Sequence, residues 1–184
     1  MEHILTIQRG VNVIPLALQL KQNPHLWGEH PERTQNPDSP HAQVSDIWAR
    51  FGPQGIDRNA EHDSIWYPAY RALPAIRDIV FPLMHMLKGE RLGGVLITKI
   101  PPGGRVLPHA DTGWHAGYYE KFGVQIESHQ QQAFCYDDGQ HITAPGDVFW
   151  FRNSRPHWVI NDSPVDRITM IVCIRSDQQQ PLGG

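Results

Sequence analysis

Apolar and polar positions change rhythm about halfway along the chain. From Ile14 to Gln22, the apolar residues Ile14, Leu16, Ala17, Leu18 and Leu20 suit a short helix. Pro15 would open it in the first turn, where a missing N–H leaves no bond unmade. Residues 23–43 break the pattern with Pro, Asn, His and Asp and read as a long loop, a length at which loops often cover a site. Val44 to Phe51 (VSDIWARF) reads as a short strand. Between Pro68 and Lys88, Leu73, Ile76, Ile79, Val80, Leu83 and Leu87 return at helical spacing. Pro74 and Pro82 are expected to divide that stretch into two or three pieces, because proline removes a helical hydrogen bond and crowds the preceding turn.

From Leu92 the runs become short. LGGVLITKI, GGRVL, FGVQIES, QAFCYDD, QHITA, DVFWF, HWVIN and DRITMIVCIR are separated by Gly, Pro, Asn and Asp. That spacing predicts seven or eight antiparallel strands in a sandwich or barrel. Gly93-Gly94, Gly103-Gly104 and Pro145-Gly146 mark turns between them. The expected fold class is mainly β (α+β), a single domain over 1–184. Residues 1–91 form a helical and loop layer and residues 92–176 a double-stranded β-helix, the jelly-roll of cupins.

Composition adds bounds. A chain of 184 residues with 40% hydrophobic and 19% charged positions buries a core without disulfides. The net charge of -3 indicates neither a nucleic-acid nor a membrane partner. Cys135 and Cys173 sit in apolar runs and read as buried free thiols. The apolar stretch Val11 to Leu20 lacks a basic leader and is too short to span a bilayer, so the expected compartment is the cytoplasm.

The 11 histidines raise the prospect of metal chemistry. In PHADT, His109 and Asp111 stand two apart, so on an extended segment both side chains share a face. With a distant second imidazole they would make a two-His-one-carboxylate triad, which leaves three adjacent positions of an octahedral ferrous ion open. The HxD pair alone is a weak signal. It gains weight from its place after a strand and a PPGG turn, from His157 opening HWVIN, and from Arg167 ten residues on. An arginine pointing inward from the last strand needs a buried partner, and its fork suits the far carboxylate of a dicarboxylic co-substrate.

Over residues 92–175, from IPPGGRVLPHADTG to GDVFWFRNSRPHWVINDSPVDRITMIVCI, the sequence resembles the aspartyl/asparaginyl β-hydroxylase family of Fe(II)/2-oxoglutarate dioxygenases. DIWARFG and ALPAIRDIV look like its bacterial and phage-type members more weakly. The resemblance implies iron on His109, Asp111 and His157, with O2 and 2-oxoglutarate as co-substrates. It further implies Arg167 on the far carboxylate and Thr98 assisting. Where many members carry an Arg and a His two apart, this chain has Lys121-Phe122-Gly123, so Lys121 is the candidate for the arginine's role. The activity implied is hydroxylation of an unactivated C–H bond with release of succinate and CO2. The substrate would be an Asp or Asn side chain in a protein, a free amino acid or peptide, or another small metabolite.

Trp114, His115, Tyr118 and Arg155 lie close to the two metal-bearing turns and are candidate substrate contacts, weighed against packing and solvated roles. His25, His30 and His41 fall in the proline-rich loop, where a solvated role is expected. Trp150 and Phe151 are expected in the core, and Asn161 in a turn or orienting a neighbour. Two other classes compete: a cupin-like metal-binding protein without 2-oxoglutarate chemistry, partly echoed by Gly103 with His109 and by His157 with Asn161, and a metal-free binding module. Arg167 argues against the first.

Overall fold

A computed structural model describes residues 2–36 and 38–176. The first half of the chain contributes β1 (Ile4–Gln8), α1 (Ile14–Gln22), β2 (Ser45–Phe51), β3 (Ile65–Trp66), α2 (Ala69–Ala72) and α3 (Ile76–Met86). The second half contributes β4 (Gly89–Ile100), β5 (Arg105–His109), α4 (Trp114–Tyr118), β6 (Glu120–Glu127), β7 (Gln132–Tyr136) and β8 (Gly139–His141). It closes with β9 (Val148–Phe151), β10 (His157–Asn161) and β11 (Arg167–Ser176). Each of the eight runs read from Leu92 onward is a strand.

The strands form a seven-stranded sheet in the order β1-β9-β6-β11-β4-β2-β3 and a four-stranded sheet in the order β5-β10-β7-β8. Every strand pair is antiparallel. This is a double-stranded β-helix. Strand β11 shows how the alternation of a strand divides labour between faces. Ile168, Met170, Val172 and Ile174 point outward into a core shared with Leu16 and Leu20 of α1 and with Ile76, Ile79, Val80 and Leu83 of α3. Arg167, Thr169, Ile171 and Cys173 point the other way and line a cavity between the sheets. A second core beneath it joins Val44, Ile100, Val106, Phe134, Phe149 and Val159. Gly123 of β6 makes room for the Phe149 ring of the neighbouring strand β9, since a Cβ at that position would lie 2.2 Å from it.

Two features of the first half differ from expectation. Pro74 separates α2 from α3, but Pro82 does not break α3, which runs unbroken from Ile76 to Met86. Pro82 lies on the exposed side, and burial of Ile76, Ile79, Val80 and Leu83 on the opposite side outweighs the missing bond. The helical and loop layer also holds an unexpected strand, β1, which pairs with β9; β2, expected as a strand, pairs with β4, so the first 51 residues add to the large sheet on both sides. Pro37 of the long loop lies outside the described residues; the rest of 23–43 contains two 3-10 turns, Pro24–Leu26 and Pro31–Arg33. Among the described residues, no helix is long and apolar enough to cross a membrane.

Candidate active site

Strands β5 and β10 run side by side in the small sheet, with His109 directly opposite His157. This register brings the end of one strand against the start of the other. Asp111 lies two residues beyond β5 and is fixed by its own N–H, which donates to the Asn153 carbonyl at 2.9 Å. One ligating atom from each of His109, Asp111 and His157 lies within 4.8 Å of the other two. The three residues expected to share a metal are therefore brought together.

The protonation pattern suits a cation. Nδ1 of His109 donates to the Leu107 carbonyl and Nδ1 of His157 to the Arg155 carbonyl, both at 2.8 Å. Because a carbonyl only accepts, the neutral rings carry their proton on Nδ1 and present Nε2 lone pairs. His109 Nε2 faces Asp111 Oδ1 at 3.6 Å, two electron-rich atoms that repel unless a cation lies between them. Burial, with the neighbouring Lys121 charge, pushes His157 down to about 4 despite Asp111. Burial on its own would raise the Asp111 carboxyl. The Lys121 charge and its hydrogen bond outweigh that and hold it well below the usual carboxylate range. Lys121 Nζ donates to Asp111 Oδ2 at 2.6 Å, which leaves Oδ1 as the free oxygen. The donor set thus fits a divalent first-row metal.

The three residues edge a cavity of about 730 Å³ whose wall also includes Arg33, His41, Thr98, His115, Lys121, Arg167 and Cys173. Arg167 is 3% exposed. Its Nη1 donates to Thr169 Oγ1 at 2.6 Å, and its Nε and Nη2 are buried without a partner. Burial lowers its pKa to about 10. A guanidinium left two donors short in an apolar setting is costly, and a bound carboxylate would satisfy both.

The other expected contacts are engaged by the protein itself. Thr98 donates to Asp46 at 2.9 Å and accepts from Arg33 at 3.1 Å, and Lys121 holds Asp111. His115 faces the cavity, accepting from the Gly94 N–H at 3.2 Å, and burial with the Lys121 charge pushes it down to about 3. Trp114 and Tyr118 do not line the cavity. Their rings stack on each other at 4.7 Å, and the Arg91 guanidinium lies over both. Arg155 also points away, making an exposed two-pronged pair with Asp137 at 2.9 Å. Trp114 and Tyr118 are placed there because α4 turns its aromatic side away from the mouth. Gly113 allows that turn at φ +90, packed where a Cβ would sit 2.8 Å from the Arg58 carbonyl oxygen.

Two residues of the proline-rich loop were missed. His41, expected in solvent, packs edge-on against His109 with ring centroids 4.7 Å apart, and burial pushes it down to about 2. Arg33 binds Asp46 through Nε at 2.6 Å and Nη2 at 2.9 Å. A signal for it was present: Val44, Asp46 and Trp48 are alternate residues of one strand face, and a carboxylate in an apolar row demands a partner. Cys135 and Cys173 are free and buried. Trp150 and Phe151 are core, and fully buried Asn161 ties the turns around β5 and β11 by donating to the Ile100, Pro101 and Val165 carbonyls.

No protein-family model matches the chain. No curated protein matches it in sequence. Solved structures do match. A 2OG-Fe(II) oxygenase family oxidoreductase from Burkholderia pseudomallei aligns with a TM-score of 0.54 at 11% identity, covering 72% of this chain and 67% of that one. A Pseudomonas putida prolyl-4-hydroxylase aligns with a TM-score of 0.54 at 14% identity, over 95% and 92% of the two chains. The chain shares its fold with these enzymes. The viral collagen prolyl hydroxylase of Paramecium Bursaria Chlorella virus-1, solved as a 2OG complex, gives a TM-score of 0.53 at 10% identity over 96% and 97%.

Proposed function

We propose that the protein is an Fe(II)- and 2-oxoglutarate-dependent dioxygenase. It would hydroxylate an unactivated C–H bond of an amino acid, a peptide or protein side chain or another small molecule, releasing succinate and CO2. The observation that carries this is the partnerless buried fork of Arg167, in the same cavity as the His109, Asp111 and His157 donors. A metal-binding jelly-roll without a diacid co-substrate has no use for that charge. The fold shared with the three oxygenases supports the same class. The run of residues 92–175 resembles aspartyl/asparaginyl β-hydroxylases, and membership of that branch is part of the proposal.

When bound, iron with 2-oxoglutarate and O2 would supply the oxidising chemistry that side chains lack. His109 and His157 would hold it through Nε2 and Asp111 through Oδ1. Because Lys121 holds Oδ2, Asp111 would give the metal one oxygen. Arg167, steadied by Thr169, would receive the far carboxylate, and Ile100, Val106, Phe134 and Val159 would exclude water from the diacid's chain.

Anaerobic titration of 2-oxoglutarate into Fe(II)-loaded protein, followed by admission of air, tests the proposal. Metal-dependent binding and succinate release are expected. Absence of binding, or succinate formation independent of iron, would overturn it.

A further inference from the structure

We infer that Arg33 is a second carboxylate anchor in the cavity, carried by the loop between α1 and β2 and aimed by Asp46. It rests on the diacid pocket proposed above, and it concerns the side of that pocket beside Thr98.

Donors to an anion in this cavity are few. Lys121 is held by Asp111, and the Thr98 hydroxyl donates to Asp46. His115 has Nε2 occupied by the Gly94 N–H. Arg167 supplies one fork. Arg33 remains. Its Nε and Nη2 are bonded to the two oxygens of Asp46, and Nη2 also donates to Thr98. No hydrogen bond is made by Nη1, and the side chain is 22% exposed while that of Asp46 is 0%. Arg33 is one of the residues lining the cavity.

The two residues are a matched pair. Asp46 receives hydrogen bonds from Arg33 on both oxygens and a further one from Thr98, so its carboxylate is well satisfied. Its effect on Arg33 is to fix the plane of the guanidinium. Burial would lower the Arg33 pKa, and the Asp46 charge reverses that, so the group stays cationic. A planar cation held on one edge presents the other edge in a single orientation. Asp46, Thr98 and Thr169 sit side by side across β2, β4 and β11, and Thr169 bonds Arg167. The two guanidiniums therefore flank one row of the large sheet, beside the metal ligands.

A carboxylate reaching Arg33 has two possible sources: the near end of the diacid co-substrate, or the substrate. The test uses Mn(II)-loaded protein and calorimetry. N-oxalylglycine is titrated into wild type, R33K, the double variant R33Q/D46N and R167M. The double variant avoids leaving Asp46 buried alone, and thermal melts verify folding. With N-oxalylglycine bound, 3-phenylpropanoate and its uncharged amide are then compared. If the near carboxylate is the source, N-oxalylglycine affinity falls about tenfold or more in R33K and R33Q/D46N. If the substrate is the source, N-oxalylglycine affinity holds, wild type prefers the acid over the amide by a similar factor, and both variants lose that preference. Folded variants that keep N-oxalylglycine affinity, with no acid preference in wild type, overturn the inference and leave Arg33 as a loop fastener; the diacid pocket survives if R167M alone loses binding. Wild type that binds neither probe overturns both.

Discussion

The two faces of β11 are made from the same ten residues and serve opposite ends. The outward row, Ile168, Met170, Val172 and Ile174, is covered by helices and contributes stability through apolar burial. The inward row, Arg167, Thr169, Ile171 and Cys173, faces a cavity and includes a buried cation with two donors unmet. One face is consistent with its surroundings at every position. The other carries an electrostatic deficit that only a ligand removes. Such a local conflict with burial marks a binding site more sharply than the histidines do, because eleven histidines are spread over the chain and most are not ligands.

Substitutions on the two faces should separate cleanly. The largest effect is expected for His157→Ala, which removes a donor outright. Metal affinity, followed by manganese titration, should fall by more than the roughly 100-fold that loss of an outer partner causes. Met170→Ala on the outward row should lower stability by about 2–5 kcal/mol in denaturant titrations while leaving diacid affinity in the folded protein unchanged. Equal damage to binding would break the division between faces.

A smaller effect is expected from pH. His115 is pushed down to about 3 by burial, below the ordinary value of 6.5. Between these values the unfolded chain binds the extra proton and the folded protein does not, so stability falls as pH drops from 6.5 towards 3. H115Q should flatten that part of the stability profile; an unchanged slope would place the acid sensitivity elsewhere. The smallest effect is expected for Arg155→Ala, which breaks only an exposed pair with Asp137. Melting temperature and diacid affinity should both stay within error.

The strands from Gly89 onward were legible because Gly, Pro, Asn and Asp punctuate short apolar runs. The cluster of His109, Asp111 and His157 was legible because these residues fall at or just past the ends of those runs. Strand β1 was not, since its partner β9 lies far along the chain and no local pattern announces the pairing. Pro82 misled because a helix is judged locally in sequence, whereas its survival depends on the sheet beneath. His41 and Arg33 belong to a loop without period, so only the folded register brings them to His109 and Asp46. Trp114 and Tyr118 were close to the HxD turn in sequence, but α4 directs them to Arg91 instead.

The most direct measurement compares wild type and R167M, each loaded with Mn(II), by melting with and without N-oxalylglycine. Removing an unpaired buried cation should leave the ligand-free melting temperature equal or higher, while the stabilisation by N-oxalylglycine disappears. An R167M protein that melts lower without ligand yet is stabilised by N-oxalylglycine as fully as wild type would contradict the role given to Arg167.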